Sequence, residues 1–101
     1  MKKVEIAKKL LKRNDVITVI GKRWFDKVNG NTYHSSKVYV NGNEIGYQPF
    51  IYGYGDSYQQ TGLELLKEKY DILDDVTMLW GLKNHGIKLV TSVSDGLKRD
   101  L

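Results

Sequence analysis

The sequence predicts an α+β fold, an α-β-β-β-α sandwich with an added C-terminal helix and strand, built as a single domain over residues 1–101. Three observations predict it. The β-branched run Val16-Ile17-Thr18-Val19-Ile20 suits a buried strand rather than a helix. Asn29-Gly30 and Asn41-Gly42 stand where tight hairpins would join alternating segments. Apolar residues then recur at helical spacing between Ser57 and Tyr70.

Taken in order, Val4, Ala7, Leu10 and Leu11 fall at helical spacing among Lys3, Lys8, Lys9, Lys12 and Arg13. The pattern predicts a basic amphipathic helix from Lys3 to Arg13, stopped at Asn14. The first strand is apolar on both faces, as expected of a central strand covered on each side. It continues to Phe25, with Gly21 marking a bulge. The second strand, Thr32 to Val40, alternates: Tyr33, Ser35, Lys37 and Tyr39 face one way, His34, Ser36, Val38 and Val40 the other. The Val38/Val40 side is the candidate core side. The third strand runs from Asn43 towards Tyr54, and Pro49 must sit at an edge or bulge because it cannot donate a ladder hydrogen bond.

Ser57 and Gln60 have capping-box spacing, with Asp56 an alternative cap. The helix they open buries a set drawn from Tyr58, Leu63, Leu65, Leu66 and Tyr70, and Gly62 inside it signals close packing. Asp74 or Asp75 can cap a short helix, Val76 to Asn84, with Val76, Leu79 and Trp80 on its apolar side and Gly86 as its stop. Ile87 to Ser94 alternates as a last strand, and the polar tail from Asp95 is expected to fray.

With 41% apolar residues the chain is globular in composition rather than disordered. It has no cysteine, which excludes disulfides and thiolate zinc sites and suits a reducing cytoplasm. The first residues lack the apolar core of a signal peptide, and no apolar run approaches the roughly 20 residues needed to cross a bilayer. The expected location is cytoplasmic, with no membrane partner. Charge is unevenly spread: residues 1–42 hold ten Lys/Arg against three acidic side chains (+7), and residues 43–101 hold six against nine (−3). A basic half on a small domain is the footprint of a polyanion partner, although a solvated lysine-rich surface has the same composition.

The order helix–strand–strand–strand–helix from Lys3 to Tyr70, with Val38-Tyr39-Val40-Asn41-Gly42-Asn43-Glu44-Ile45-Gly46 across its second and third strands, resembles the double-stranded-RNA-binding domain. In that family the first inter-strand loop aims a glycine and a histidine at an RNA minor groove, and Gly30 and His34 occupy a comparable place. The family's second helix opens with lysines on phosphates; the corresponding residues here are Asp56, Ser57, Tyr58, Gln59 and Gln60, with no positive charge. The Gly-Asn-Thr-Tyr-His and Tyr-Gly-Tyr-Gly-Asp segments also look like small proteins encoded by bacteriophages and related mobile elements, which would place the chain in a host cytoplasm.

Nine of the eleven aromatics lie between Trp24 and Tyr58. Tyr47, Phe50, Tyr52, Tyr54 and Tyr58, interleaved with glycines, are able to stack bases, and ordinary sheet packing is the alternative account. The candidate nucleic-acid or nucleotide-binding residues are Lys22, Arg23, Trp24, Tyr33, His34, Tyr52 and Tyr54. No metal site, cofactor or catalytic residue is expected. The function expected first is a non-enzymatic protein that recognises a nucleic acid or nucleotide-like anion. Two alternatives stay open: a protein-interaction module, such as a phage-encoded inhibitor of a host defence or metabolic enzyme, and a phosphodiesterase using His34 as acid/base. A flat strand edge near Pro49 or Ile87–Val93 leaves room for a homodimer.

Overall fold

A computed structural model describes residues 9–71 and 76–101. In chain order the elements are β1 (Lys9–Leu10), β2 (Val16–Asp26), β3 (Asn31–Val40), β4 (Asn43–Tyr52), α1 (Ser57–Lys69), β5 (Tyr70–Asp71), a 3₁₀ helix (Leu79–His85), β6 (Lys88–Asp95) and a closing 3₁₀ turn (Lys98–Asp100). The main sheet has four strands in the order β4-β3-β2-β6. Its first three strands form an antiparallel meander, and β6 joins β2 in parallel, so the protein is a mixed α+β fold.

Both hairpins follow local backbone chemistry. Asn41 (φ 50°) and Gly42 (φ 85°) take the paired positive dihedrals of a type I′ turn. Asn41 also ties the turn to the start of β2: its Oδ1 accepts from the Val16 N–H at 2.9 Å, and its Nδ2 donates to Asp15 Oδ1 at 3.1 Å. In the β2–β3 turn the Asp26 carboxylate accepts from the Val28 and Asn29 N–H groups and from Asn29 Nδ2. Pro49 lies on an edge strand beside a bulge, as expected: the β3–β4 register shifts between His34 and Ser36, opposite Pro49 and Phe50.

The core lies on one side of the sheet. Ile17 and Val19 of β2 and Val38 and Val40 of β3 meet Tyr58, Leu63, Leu65 and Leu66 of α1, with Val76, Leu79, Leu82 and Ile87 closing the end. The expected two-sided cover of β2 is therefore corrected. Ile20 is 37% exposed and Val16 and Thr18 are half-buried, because among the described residues no layer packs on their face. Gly21 is not a bulge either. The β2–β3 register runs unbroken through Gly21↔Ser36, and the glycine makes room for Tyr58, whose ring carbon lies 2.5 Å from where a Cβ would stand. Gly62 has the packing role expected of it, with Val19 Cγ1 2.6 Å from its missing Cβ.

Residues 3–8 of the expected amino-terminal helix lie outside the described residues, as do Asp74 and Asp75. From residue 9 onwards the helix expectation is corrected. Lys9–Leu10 pair in parallel with Tyr70–Asp71, leaving Leu10 69% exposed, and a turn at Lys12–Asp15 is closed by the Asp15 carboxylate on the Lys12 N–H at 2.7 Å. Tertiary strand pairing outweighs helix propensity here. The capping box is corrected as well. Asp56 takes the N-cap position of α1 without a side-chain hydrogen bond, and Ser57 Oγ donates backwards to the Tyr54 carbonyl at 2.7 Å.

The third helix is a 3₁₀ helix rather than an α-helix. Its three residues per turn bury Leu79 and Leu82 together and turn the expected core residue Trp80 outwards. Gly86, at φ 77°, stops it as expected. The tail is tied down instead of fraying: the Gly96 N–H donates to the Arg23 carbonyl at 2.7 Å, and the Leu97 N–H to Asp100 Oδ2 at 2.8 Å. Among the described residues no helix is long and apolar enough to cross a membrane.

Candidate functional site

Strand alternation divides the candidate residues between the two faces of the sheet. Odd-numbered residues of β2 and even-numbered residues of β3 face α1; the opposite set faces outwards. Because Lys22 pairs with Ser35, and Trp24 with Tyr33, which in turn pairs with Tyr52, the outer face collects Lys22, Trp24, Tyr33 and Tyr52.

The bulge brings Phe50 into the same group. Tyr33 and Phe50 stack with centroids 4.6 Å apart and planes 16° from parallel. Trp24 stacks on Tyr33 at 5.9 Å and meets Phe50 at 6.2 Å, and Tyr52 meets Tyr33 edge-on at 5.8 Å. Such stacked and edge-on pairs are the favoured aromatic geometries. Tyr52 is 63% exposed and Phe50 41%, so the cluster is a surface feature and no second core.

Cations border the rings. Lys98 Nζ lies 5.7 Å from the Trp24 centroid and 5.7 Å from that of Phe50, and Lys37 Nζ lies 5.3 Å from the Tyr47 centroid. Lys22 is exposed beside them. The nearby carboxylates are engaged: Glu44 pairs with Lys37 at 3.9 Å, and Asp26 is consumed by its turn. Hydrogen bonds hold the Asp26 carboxyl below its usual range, the Asn29 side chain contributing most. The open face thus combines ring edges and faces with ammonium groups.

Arg23 and His34 belong to the other face, which corrects their expected place in this surface. Arg23 Nε sits 3.5 Å from Asp95 Oδ1, and its guanidinium donates to the Gly55 carbonyl at 3.4 Å. His34 is 2% exposed. Its Nδ1–H donates to the Gly53 carbonyl at 3.2 Å, because a carbonyl can only accept, which leaves Nε2 to accept from the Thr61 hydroxyl at 2.8 Å. Burial lowers the His34 pKa, partly opposed by the Gly53 hydrogen bond. A neutral imidazole with both nitrogens occupied and no solvent access is a structural strut between β3 and α1. That geometry removes the basis for a His34-dependent phosphodiesterase and for a histidine aimed at an RNA groove.

Tyr54 is 71% exposed in the loop before α1 and takes no part in the ring contacts of the cluster. Two contributors escaped the sequence reading. Lys37 carried a signal, its shared parity with Tyr33 and Tyr39. Lys98 carried none, since it lies in the tail and reaches the rings only through the parallel placement of β6. Among the described residues no group of three His, Cys, Asp or Glu side chains is arranged to hold a metal ion. No family model, curated protein or solved structure matches the chain.

Proposed function

We propose that the outer face of the sheet binds single-stranded nucleic acid without catalysing a reaction on it. The observation that carries the reading is the Trp24–Tyr33–Phe50–Tyr52 cluster, half-exposed on a sheet face that no other described element covers, bordered by Lys22 and Lys98, with Lys37 beside Tyr47 on the same face. Unpaired bases have free π-faces, and stacking on an aromatic side chain contributes about 1–3 kcal/mol per base. Lysines flanking the rings supply the attraction for phosphates.

The resemblance to the double-stranded-RNA-binding domain rests on the order helix–strand–strand–strand–helix from Lys3 to Tyr70. The proposal keeps a nucleic-acid partner and moves the contact to the other side of the sheet. Two features support that move: His34 is inside, and the first turn of α1, Ser57-Tyr58-Gln59-Gln60, has no cation for duplex phosphates. Base pairs in a duplex also hide the π-faces that the rings would meet.

Fluorescence anisotropy with labelled single-stranded RNA, single-stranded DNA and duplex, across a salt series, tests the reading. Single strands should bind more tightly than duplex, with a logarithmic salt slope of about −2 if three lysines each neutralise a phosphate. Equal affinity for duplex, or no binding at low salt, overturns it. Capture of a protein partner through the same tyrosines, insensitive to nuclease, would favour an interaction module instead.

A further inference from the structure

We infer that the free edge of β6 pairs with β6 of a second copy of this chain, making a symmetric dimer with one continuous eight-stranded sheet. The two edges of the main sheet are built differently. The β4 edge is blunted by Pro49, by two register shifts and by Phe50 at φ 22°, the devices that keep edge strands from pairing. The β6 edge has none of them. From Leu89 to Ser94 it contains no charge, proline or glycine, and it keeps register with β2 without a shift from Val16↔Lys88 to Arg23↔Asp95. Among the described residues no strand pairs with its far side, and no loop or turn backbone hydrogen bond ends on residues 89–95. Val90 is 51% exposed, and Thr91, Ser92 and Ser94 are also exposed.

The side chains of β6 suit a partner of the same sequence. Antiparallel pairing about a two-fold axis at Thr91 sets Thr91 against itself, Leu89 against Val93 of the second copy, and Val90 against Ser92 of the second copy. Directly opposed residues share a face in an antiparallel ladder. Leu89 and Val93 both lie on the α1 side, where they are partly buried against the core, so this register prolongs each core across the boundary with apolar pairs. Thr91 on the axis makes the threonine–threonine pair that antiparallel sheets favour. The two Lys88 side chains fall at opposite ends of the ladder and do not oppose each other. The axis is perpendicular to the sheet, so both outer aromatic faces end on the same side of the dimer.

Sedimentation and Thr91 variants test this without any nucleic acid present. The wild-type chain should sediment at twice the monomer mass. Thr91→Lys and Thr91→Asp, each placing like charges on the axis, should sediment as monomers with unchanged far-UV circular dichroism, and an equimolar mixture of the two should recover the dimer. Thr91→Cys, in a chain with no other cysteine, should cross-link on mild oxidation, because directly opposed Cα atoms about 4.5–5.5 Å apart fall within disulfide range. Val28→Cys, in the β2–β3 turn, should not. A monomeric wild type at its highest soluble concentration overturns the inference, and so does a Thr91→Lys chain that stays dimeric. If the charged variants fail to fold, absence of Thr91→Cys cross-linking overturns it alone. Single-strand binding by a monomer would leave the proposed function intact, so the two readings fail separately.

Discussion

Tyr33 and Phe50 lie face to face, 4.6 Å between centroids, although the ladder pairs Tyr33 with Tyr52. The bulge at Pro49–Phe50 inserts an extra residue into β4, and that extra residue lets two rings of one strand reach a single tyrosine of the next. A backbone irregularity thus creates the side-chain cluster on which the functional reading stands.

Tyr52 is the ring to remove first, because it is exposed and its loss should leave the fold intact. Tyr52→Ala should weaken single-strand binding by about 1–3 kcal/mol, the worth of one stacked base, with little change in Tm. Phe50→Ala should weaken binding and also lower stability, since stacked pairs contribute about 0.5–1.5 kcal/mol beyond area burial. Anisotropy titration and thermal melting of both variants check the pair. Unchanged affinity in both would count against the ring cluster as the contact surface.

The two faces predict a split between adjacent cations. Lys22→Ala should lower affinity and reduce the magnitude of the salt slope by about 0.7, the single-strand value for one phosphate contact. Arg23→Ala should leave both unchanged, because Arg23 is directed to Asp95 and the Gly55 carbonyl on the far side of the sheet. Salt titrations of the two variants discriminate the faces.

His34 makes stability depend on pH. Its pKa in the fold is lowered from the ordinary value of 6.5, so the unfolded chain binds the proton more readily. The full stabilising contribution is present above that ordinary value and declines as pH falls through it towards the lower folded value. Urea unfolding at pH 7.5 and pH 5.5 should show a loss on acidification, and His34→Gln, though less stable at neutral pH, should lose less between the two.

Gly62→Ala should destabilise the protein despite alanine's better helix propensity. The new methyl would stand 2.6 Å from Val19 Cγ1 in a core position with no exposure to absorb it. Overpacking of this kind costs about 1–3 kcal/mol, against a propensity gain of about 1 kcal/mol. A rise in the denaturation midpoint would contradict the described approach of α1 to β2.

Val38→Asp should abolish cooperative folding, because a carboxylate would be buried beside Val19 and Leu63 without a partner. A native melting curve would contradict the β3 register.

What the sequence determined by itself was the local framework: the meander of β2, β3 and β4, its two hairpins, α1, and the side of β3 that faces the core. Those features follow from dihedral preferences at Asn41-Gly42, from period-two alternation at Tyr33–Val40 and from helical spacing at Tyr58–Leu66, all of which act within a few residues. Only the tertiary structure decided the rest. It paired Lys9–Leu10 with Tyr70–Asp71 against helical spacing, left one face of β2 uncovered by any other described element, put Arg23 and His34 behind the sheet, and set β6 beside β2 so that Lys98 reaches Trp24 and Phe50. Each of these joins residues far apart in the chain, and strand order and register are settled by the burial of the whole set together, which no local pattern of residues encodes.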